Sequence, residues 1–136
     1  MKKYLLTTAI ILLTVFSTQA QEDRKAVEKT LNYYLEGGTN NDFDTLKKAF
    51  HNTATMKFIG GEYKEVNAID FFKKVMKPGP KQNRKTKIAS IDISGNAAHA
   101  KLEIEYATSK VIDYMNLLKV DGQWKIVGKI FYRMSK

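Results

Sequence analysis

The residues with the most chemical potential in this chain are two histidines, His51 and His99, and a scattered set of aromatic and amide side chains. An imidazole titrates near neutral pH, so His51, next to a short amphipathic segment, is a candidate general base. The reading favoured at this position is a ring that closes a helix and bonds nearby backbone. His99 alternates with Lys101 and Glu103 along a strand pattern and is expected on the surface. The two histidines lie far apart, neither has a paired carboxylate at ligand spacing, and the chain contains no cysteine, so no metal centre is expected. Gly60-Gly61 falls between strand patterns and is expected to be a turn rather than a phosphate cradle, and G-x-S-x-G is absent. No cofactor is implied.

The first 20 residues have the pattern of an export leader. Lys2 and Lys3 precede the apolar run LLTTAIILLTVF, and Thr18 and Ala20 form a T-x-A cleavage site. The run is shorter than the roughly 20 apolar residues of a membrane span. Cleavage near Ala20 would leave residues 21–136 as one domain with no stable membrane insertion, periplasmic or secreted. The formal charge of +9 is spread over the chain, with one cluster in KQNRKTK. A solvated basic surface is expected, and nucleic acid is not an expected partner of an exported chain.

Within EDRKAVEKTLNYYLE (22–36), Val27, Leu31, Tyr34 and Leu35 recur at helical spacing, and Gly37-Gly38 predicts the stop. Asn41 or Asp42 can cap a second helix on which Phe43, Leu46 and Phe50 share a face, ending near His51-Asn52. TMKFI (55–59) alternates as a strand, with Met56 and Phe58 on one side, and a brief strand follows around residues 63–66. Asn67 with Asp70 opens a third helix whose stripe is Ile69, Phe72, Val75 and Met76, closed by Pro78-Gly79-Pro80. From there the period is two. KIASIDIS aligns Ala89, Ile91 and Ile93, and AAHAKLEIEYA places Ala98, Ala100, Leu102, Ile104 and Tyr106 on one face. Helices followed by strands predict an α+β domain, with helices packed on one side of a curved antiparallel sheet.

The last hairpin, DYMNLLKVDGQWKIVGKIFYR, admits two registers. A two-residue type I′ turn at Asp121-Gly122 puts Asp113, Met115, Leu117 and Lys119 on the side of Trp124 and Ile126, which mixes polarity on both faces. A three-residue loop with a bulge pairs Leu118 with Trp124 and collects Ile112, Tyr114, Asn116 and Leu118 with Trp124 and Ile126 on the inner face. It also sets Asp113 opposite Lys129 as an outer charge pair. The second register sorts polarity better and is the expected one, with Gly128 leaving a gap opposite Tyr114.

The order of elements, AFHNTATMKFIGG, AIDFFKKV and this ending resemble the NTF2-like superfamily, and within it the exported bacterial group labelled putative lumazine-binding. The resemblance covers essentially the whole chain after the leader. It implies a cone of three N-terminal helices packed on the curved sheet, a pocket at the open end, and a homodimer formed through the outer sheet face, for which Met115, Leu117, Val127 and Phe131 would supply the apolar surface. A small, partly apolar or aromatic ligand is then expected among Tyr34, Phe58, Phe72, Tyr106, Tyr114, Asn116 and Trp124. A non-catalytic dimerisation or interaction module is one alternative. Another is an isomerase or dehydratase using His51. Enzymes of the superfamily that move protons hold an acid inside the cone, and the expected register leaves none there.

Overall fold

The structure is a computed structural model that describes residues 2–136, without the side chains of residues 2–14, 16 and 17. Most of the leader expected over residues 1–20 therefore lies outside the described side chains. The elements follow in the order α1 (Lys2–Thr39), α2 (Phe43–Lys47), β1 (Phe50–Gly60), β2 (Glu62–Asn67), α3 (Ala68–Val75), β3 (Arg84–Ser94), β4 (Ala97–Tyr106), β5 (Ser109–Val120) and β6 (Gln123–Ser135). The six strands form one sheet in the order β2-β1-β6-β5-β4-β3. The helices cover its concave face, giving an α+β cone.

Four of the five strand pairings are antiparallel, as the consecutive turns require. The fifth differs from the expected antiparallel sheet: β1 runs parallel to β6. The chain leaves β1 through β2, α3 and three further strands before β6 returns beside it, and a connection of that length permits parallel pairing.

Val27, Leu31, Tyr34 and Leu35 of α1 are all buried, so the helical spacing read in the sequence is the stripe that meets the sheet. Gly37-Gly38 do not stop α1, which continues to Thr39. They allow close approach instead. A Cβ on Gly37 would lie 2.7 Å from Leu46 Cα of α2, and one on Gly38 would collide with the Arg84 guanidinium. Asp42 caps α2 by accepting from Thr45 N–H at 3.0 Å, and Asn67 caps α3 by accepting from Asp70 N–H at 3.1 Å. α2 is shorter than expected, because Phe50 and His51 already belong to β1. In β3 the register shifts between Ile88 and Ser90, so Ile88 joins Ile91 and Ile93 against the core in place of Ala89.

The final hairpin takes the register that was not expected. Val120 opposes Gln123 and Lys119 opposes Trp124, leaving Asp121-Gly122 as a two-residue turn with φ of 49° and 77°, as a type I′ turn requires. A bulge lies further up, where Asn116 pairs Gly128 and Leu117 pairs Ile126, so Val127 is the extra residue. That extra residue flips the rest of β6. Trp124 and Ile126 face the helices below the bulge, and Lys129 faces them above it. Met115, Leu117 and Asp113 of β5 are likewise buried, while Tyr114, Asn116 and Leu118 are exposed.

Gly122→Ala should therefore lower the unfolding free energy in urea by about 1 kcal/mol, since a left-handed φ penalises any Cβ. Gly128→Ala should be close to neutral, because its Cβ would meet Asn116 at an ordinary 3.9 Å. Equal losses at the two glycines would contradict this turn.

Candidate functional site

Inside the cone, one charged cluster replaces the apolar face expected there. Asp113 is fully buried on β5, and Lys129 on β6 is almost as inaccessible. Lys129 Nζ lies 2.6 Å from Asp113 Oδ1, and the Tyr34 hydroxyl of α1 donates to Asp113 Oδ2 at 2.7 Å. The two charges are diagonal rather than directly opposed, since Asp113 pairs Phe131 and Lys129 pairs Met115. The Asp113–Lys129 pair read from the sequence thus exists, but on the inner face.

The geometry divides the work between the two carboxylate oxygens. Oδ2 takes a short directed hydrogen bond, whereas Oδ1 receives no well-directed one and is held by the ammonium charge at close range. Burial pulls the Lys129 ammonium below its ordinary 10.5, against the Asp113 charge that holds it up. Burial, followed by the Asp113 charge, pushes the Tyr34 phenol well above its ordinary 10.0. Tyr34 therefore keeps its proton and serves as a donor. The Lys129 ammonium also lies 4.1 Å from the centroid of the Phe131 ring, a favourable cation–π contact.

Two adjoining cavities of about 330 and 240 Å³ open above this cluster. Tyr34, Phe71, Phe72, Arg84, Tyr106 and Arg133 line both. Lys129, Phe131, Met56, Ile104 and Val111 close the floor and walls of the smaller one. Aromatic packing fixes the walls: Phe72 meets Tyr34 at 5.9 Å and Phe50 at 5.7 Å, and Phe58 stacks on Phe131 at 5.0 Å. The size suits a small planar molecule.

A match to the family described as putative lumazine-binding spans residues 22–132. The chain belongs to this family. Its fold is NTF2-like. An NTF2-like protein of unknown function from Shewanella baltica OS155 is 30% identical, with 85% of this chain and 96% of that one covered at a TM-score of 0.73. Another from Methylobacillus flagellatus KT is 32% identical, covering 83% and 93%, also at 0.73. A putative scytalone dehydratase from Novosphingobium aromaticivorans, 16% identical over 88% and 90% of the two chains at 0.69, shares the fold. No curated protein matches the chain.

The expected ligand-site residues separate into four places. Tyr34, Phe72 and Tyr106 meet at the cavities. Phe58 sits one ring behind them, against Phe131 and Phe71. Trp124 is on the inner face but at the opposite end, where its indole N–H donates to Asp23 Oδ1 at 3.1 Å beside Lys119 at 2.9 Å. Tyr114 and Asn116 are on the outer face, where the His99 ring stacks on Tyr114 at 5.9 Å and His99 Nδ1 lies 2.9 Å from Asn116 Oδ1. The changed register moves both out of the cone, and Gly128 opens no gap within it. His51 also lines neither cavity: its Nδ1 accepts from Thr53 N–H at 3.2 Å and lies 2.8 Å from Thr53 Oγ1.

Sequence reasoning did not place Asp113, Lys129, Arg84 or Arg133 in the site. One signal was available for the first two. A two-residue Asp-Gly turn puts Asp113 on the side of Trp124, and any bulge before Lys129 brings the lysine to meet it. Lys129→Met should cost about 3–5 kcal/mol in urea unfolding, because a buried carboxylate loses its counter-charge. Asp113→Asn with Lys129→Met should recover most of that loss, and a single-variant cost below about 1 kcal/mol would contradict the buried pair. The pH dependence follows from Tyr34. Its folded pKa is raised, so its contribution is complete below pH 10 and is lost as pH rises toward the folded value. Wild type should therefore lose stability above pH 10 more steeply than Tyr34→Phe, as measured by denaturant titration across that range.

Proposed function

We propose that the chain is an exported, homodimeric binding protein that takes a small, partly apolar planar molecule into its cone. The observation carrying this reading is the aromatic-walled cavity pair ending on a fixed polar cluster, in which Tyr34 and Lys129 are held by Asp113. Aromatic walls supply area, and a few immobilised polar groups supply orientation at little entropic cost. Binding of lumazine, the ligand named in the family description, is compatible with these walls.

Catalysis through His51 has no support from its position. Asp113 is an inward acid of the kind proton-moving relatives need, but it lies behind Lys129 and Tyr34 and is bound to both. That arrangement holds a group still. It does not present a base to a ligand.

Export is supported by the leader pattern and by a family match that begins at residue 22. Dimerisation is supported by the outer sheet face, though through different residues from those expected. Met115 and Leu117 are core, Phe131 lines the cone, and the large exposed apolar side chains of the sheet are Ile59, Tyr63, Tyr114, Leu118, Ile130 and Tyr132. Ile59, Tyr63, Tyr114, Ile130 and Tyr132 border one shared patch, and an exposed apolar patch of this kind on a folded domain calls for a partner.

Titration with bicyclic heteroaromatic compounds, followed by amide chemical shifts, should move Phe72, Tyr106 and Phe131 first. Shifts confined to Trp124 and Tyr33 at the opposite end would overturn the cone reading. In sedimentation experiments Ile130→Lys should convert a dimer to a folded monomer, and a monomeric wild type would contradict the interface.

A further inference from the structure

The mouth of the cone carries an excess of positive charge that nothing on its lining offsets. Arg84 is half-buried at the start of β3, and three of its N–H groups are already committed. Nε donates to Thr39 Oγ1 at 2.8 Å, Nη1 to the Tyr106 hydroxyl at 2.8 Å, and Nη2 to the Leu35 carbonyl at 3.0 Å. The bonds to Thr39 and Leu35 cap the C-terminal turn of α1, where a cation is favoured. They also fix the guanidinium plane, and Gly38 leaves the space that Nη2 occupies. A guanidinium has five N–H groups, so two remain.

Arg133 reaches the same place from β6. Its Nη1 donates to Ser109 Oγ at 3.5 Å, and its guanidinium lies 5.3 Å from the Tyr106 ring centroid, on a ring that Arg84 approaches at 5.8 Å. Two guanidiniums held around one ring repel each other. Among the described residues, no carboxylate pairs with either or lines the two cavities. Asp113, an acid on the inner face, is already paired with Lys129 of the cavity floor. The site therefore has apolar walls, a cationic rim and no acid on its lining.

We propose that the cone's ligand is an organic anion, an aromatic or apolar body bearing a carboxylate or similar acidic group, with the acid received by Arg84 and Arg133. The proposal rests on the reading of the cone as a binding site and narrows its ligand class. Arg84 is pre-oriented by its three bonds, so little rotamer freedom is lost when the anion arrives. Bonds between a guanidinium and a carboxylate are charge-assisted and roughly twice as strong as neutral ones. The apolar wall beside them lowers the local dielectric and strengthens them further. Arg133 is the exposed member and can swing onto the anion as it enters.

Matched probes separate this proposal from the reading beneath it. In calorimetric titration, 2-naphthoate and indole-3-acetate should bind at least about tenfold more tightly than their neutral carboxamides, as expected for an added charged hydrogen bond. Arg133→Gln, which leaves the α1 cap intact, should remove most of that preference. Lys48→Gln, in the separate lysine-bordered cleft beside Trp124, should change neither. Equal affinity for acids and carboxamides would overturn the anion preference and leave cone binding standing. No binding of either class would overturn both. An acid preference that survives Arg133→Gln but is lost in Lys48→Gln would place the anion outside the cone and contradict the proposal.

Discussion

The buried contact among Asp113, Lys129 and Tyr34 constrains the rest of the molecule. A carboxylate and an ammonium out of water are tolerable only when each is the other's partner and the remaining lone pairs are met. Here β5 supplies the acid, β6 the base and α1 the phenol that donates to the acid. The three elements must therefore be in register with one another before the cluster can form. A slip of β5 by one residue against β6 would bury Tyr114 and Asn116 and send Asp113 to solvent, leaving Lys129 inside without its counter-charge. Specification of a single register is the most direct consequence of placing an ion pair at this position.

That constraint also shapes the cavity. Because Lys129 and Tyr34 are held by Asp113, they do not collapse into the space between α3 and the sheet, and the aromatic rings of Phe72 and Phe131 line it. Arg84 acts similarly at the rim, bound to the end of α1 and to Tyr106. Floor and rim are thus rigid for separate reasons, one a buried ion pair and the other a helix cap. The opposite end of the cone is closed independently by Trp124 and Lys119 on Asp23.

Much of the fold was legible from periodicity alone. The α1 stripe, the Asn67 cap of α3 and the inward face of β4 all reappear as read, because each follows from one local pattern. Gly37-Gly38 misled because glycine serves close approach as well as termination, and only the packing of Leu46 and Arg84 distinguishes the two. The hairpin misled for a deeper reason. Sorting by polarity assumes that charges belong outside, and that assumption fails when two charges and a phenol satisfy one another inside. Val127, an ordinary β-branched residue, gives no sign that it is the bulge that turns Lys129 inward. Tyr34, Phe72 and Tyr106 were found because they lie on elements whose faces were unambiguous. Arg84 and Arg133 were lost among many surface cations, since only the folded sheet brings both to Tyr106.

The inward placement of Asp113 and Lys129 beneath Tyr34 is the claim from which the register, the cavity and its charge all follow. It is tested most directly by nuclear Overhauser measurements on the Tyr34 ring. The structure predicts cross-peaks from the ring to Asp113 Hβ and to the Lys129 side-chain methylenes. Cross-peaks from the same ring to Asn116 and Tyr114 would place the opposite face inside the cone and contradict the account.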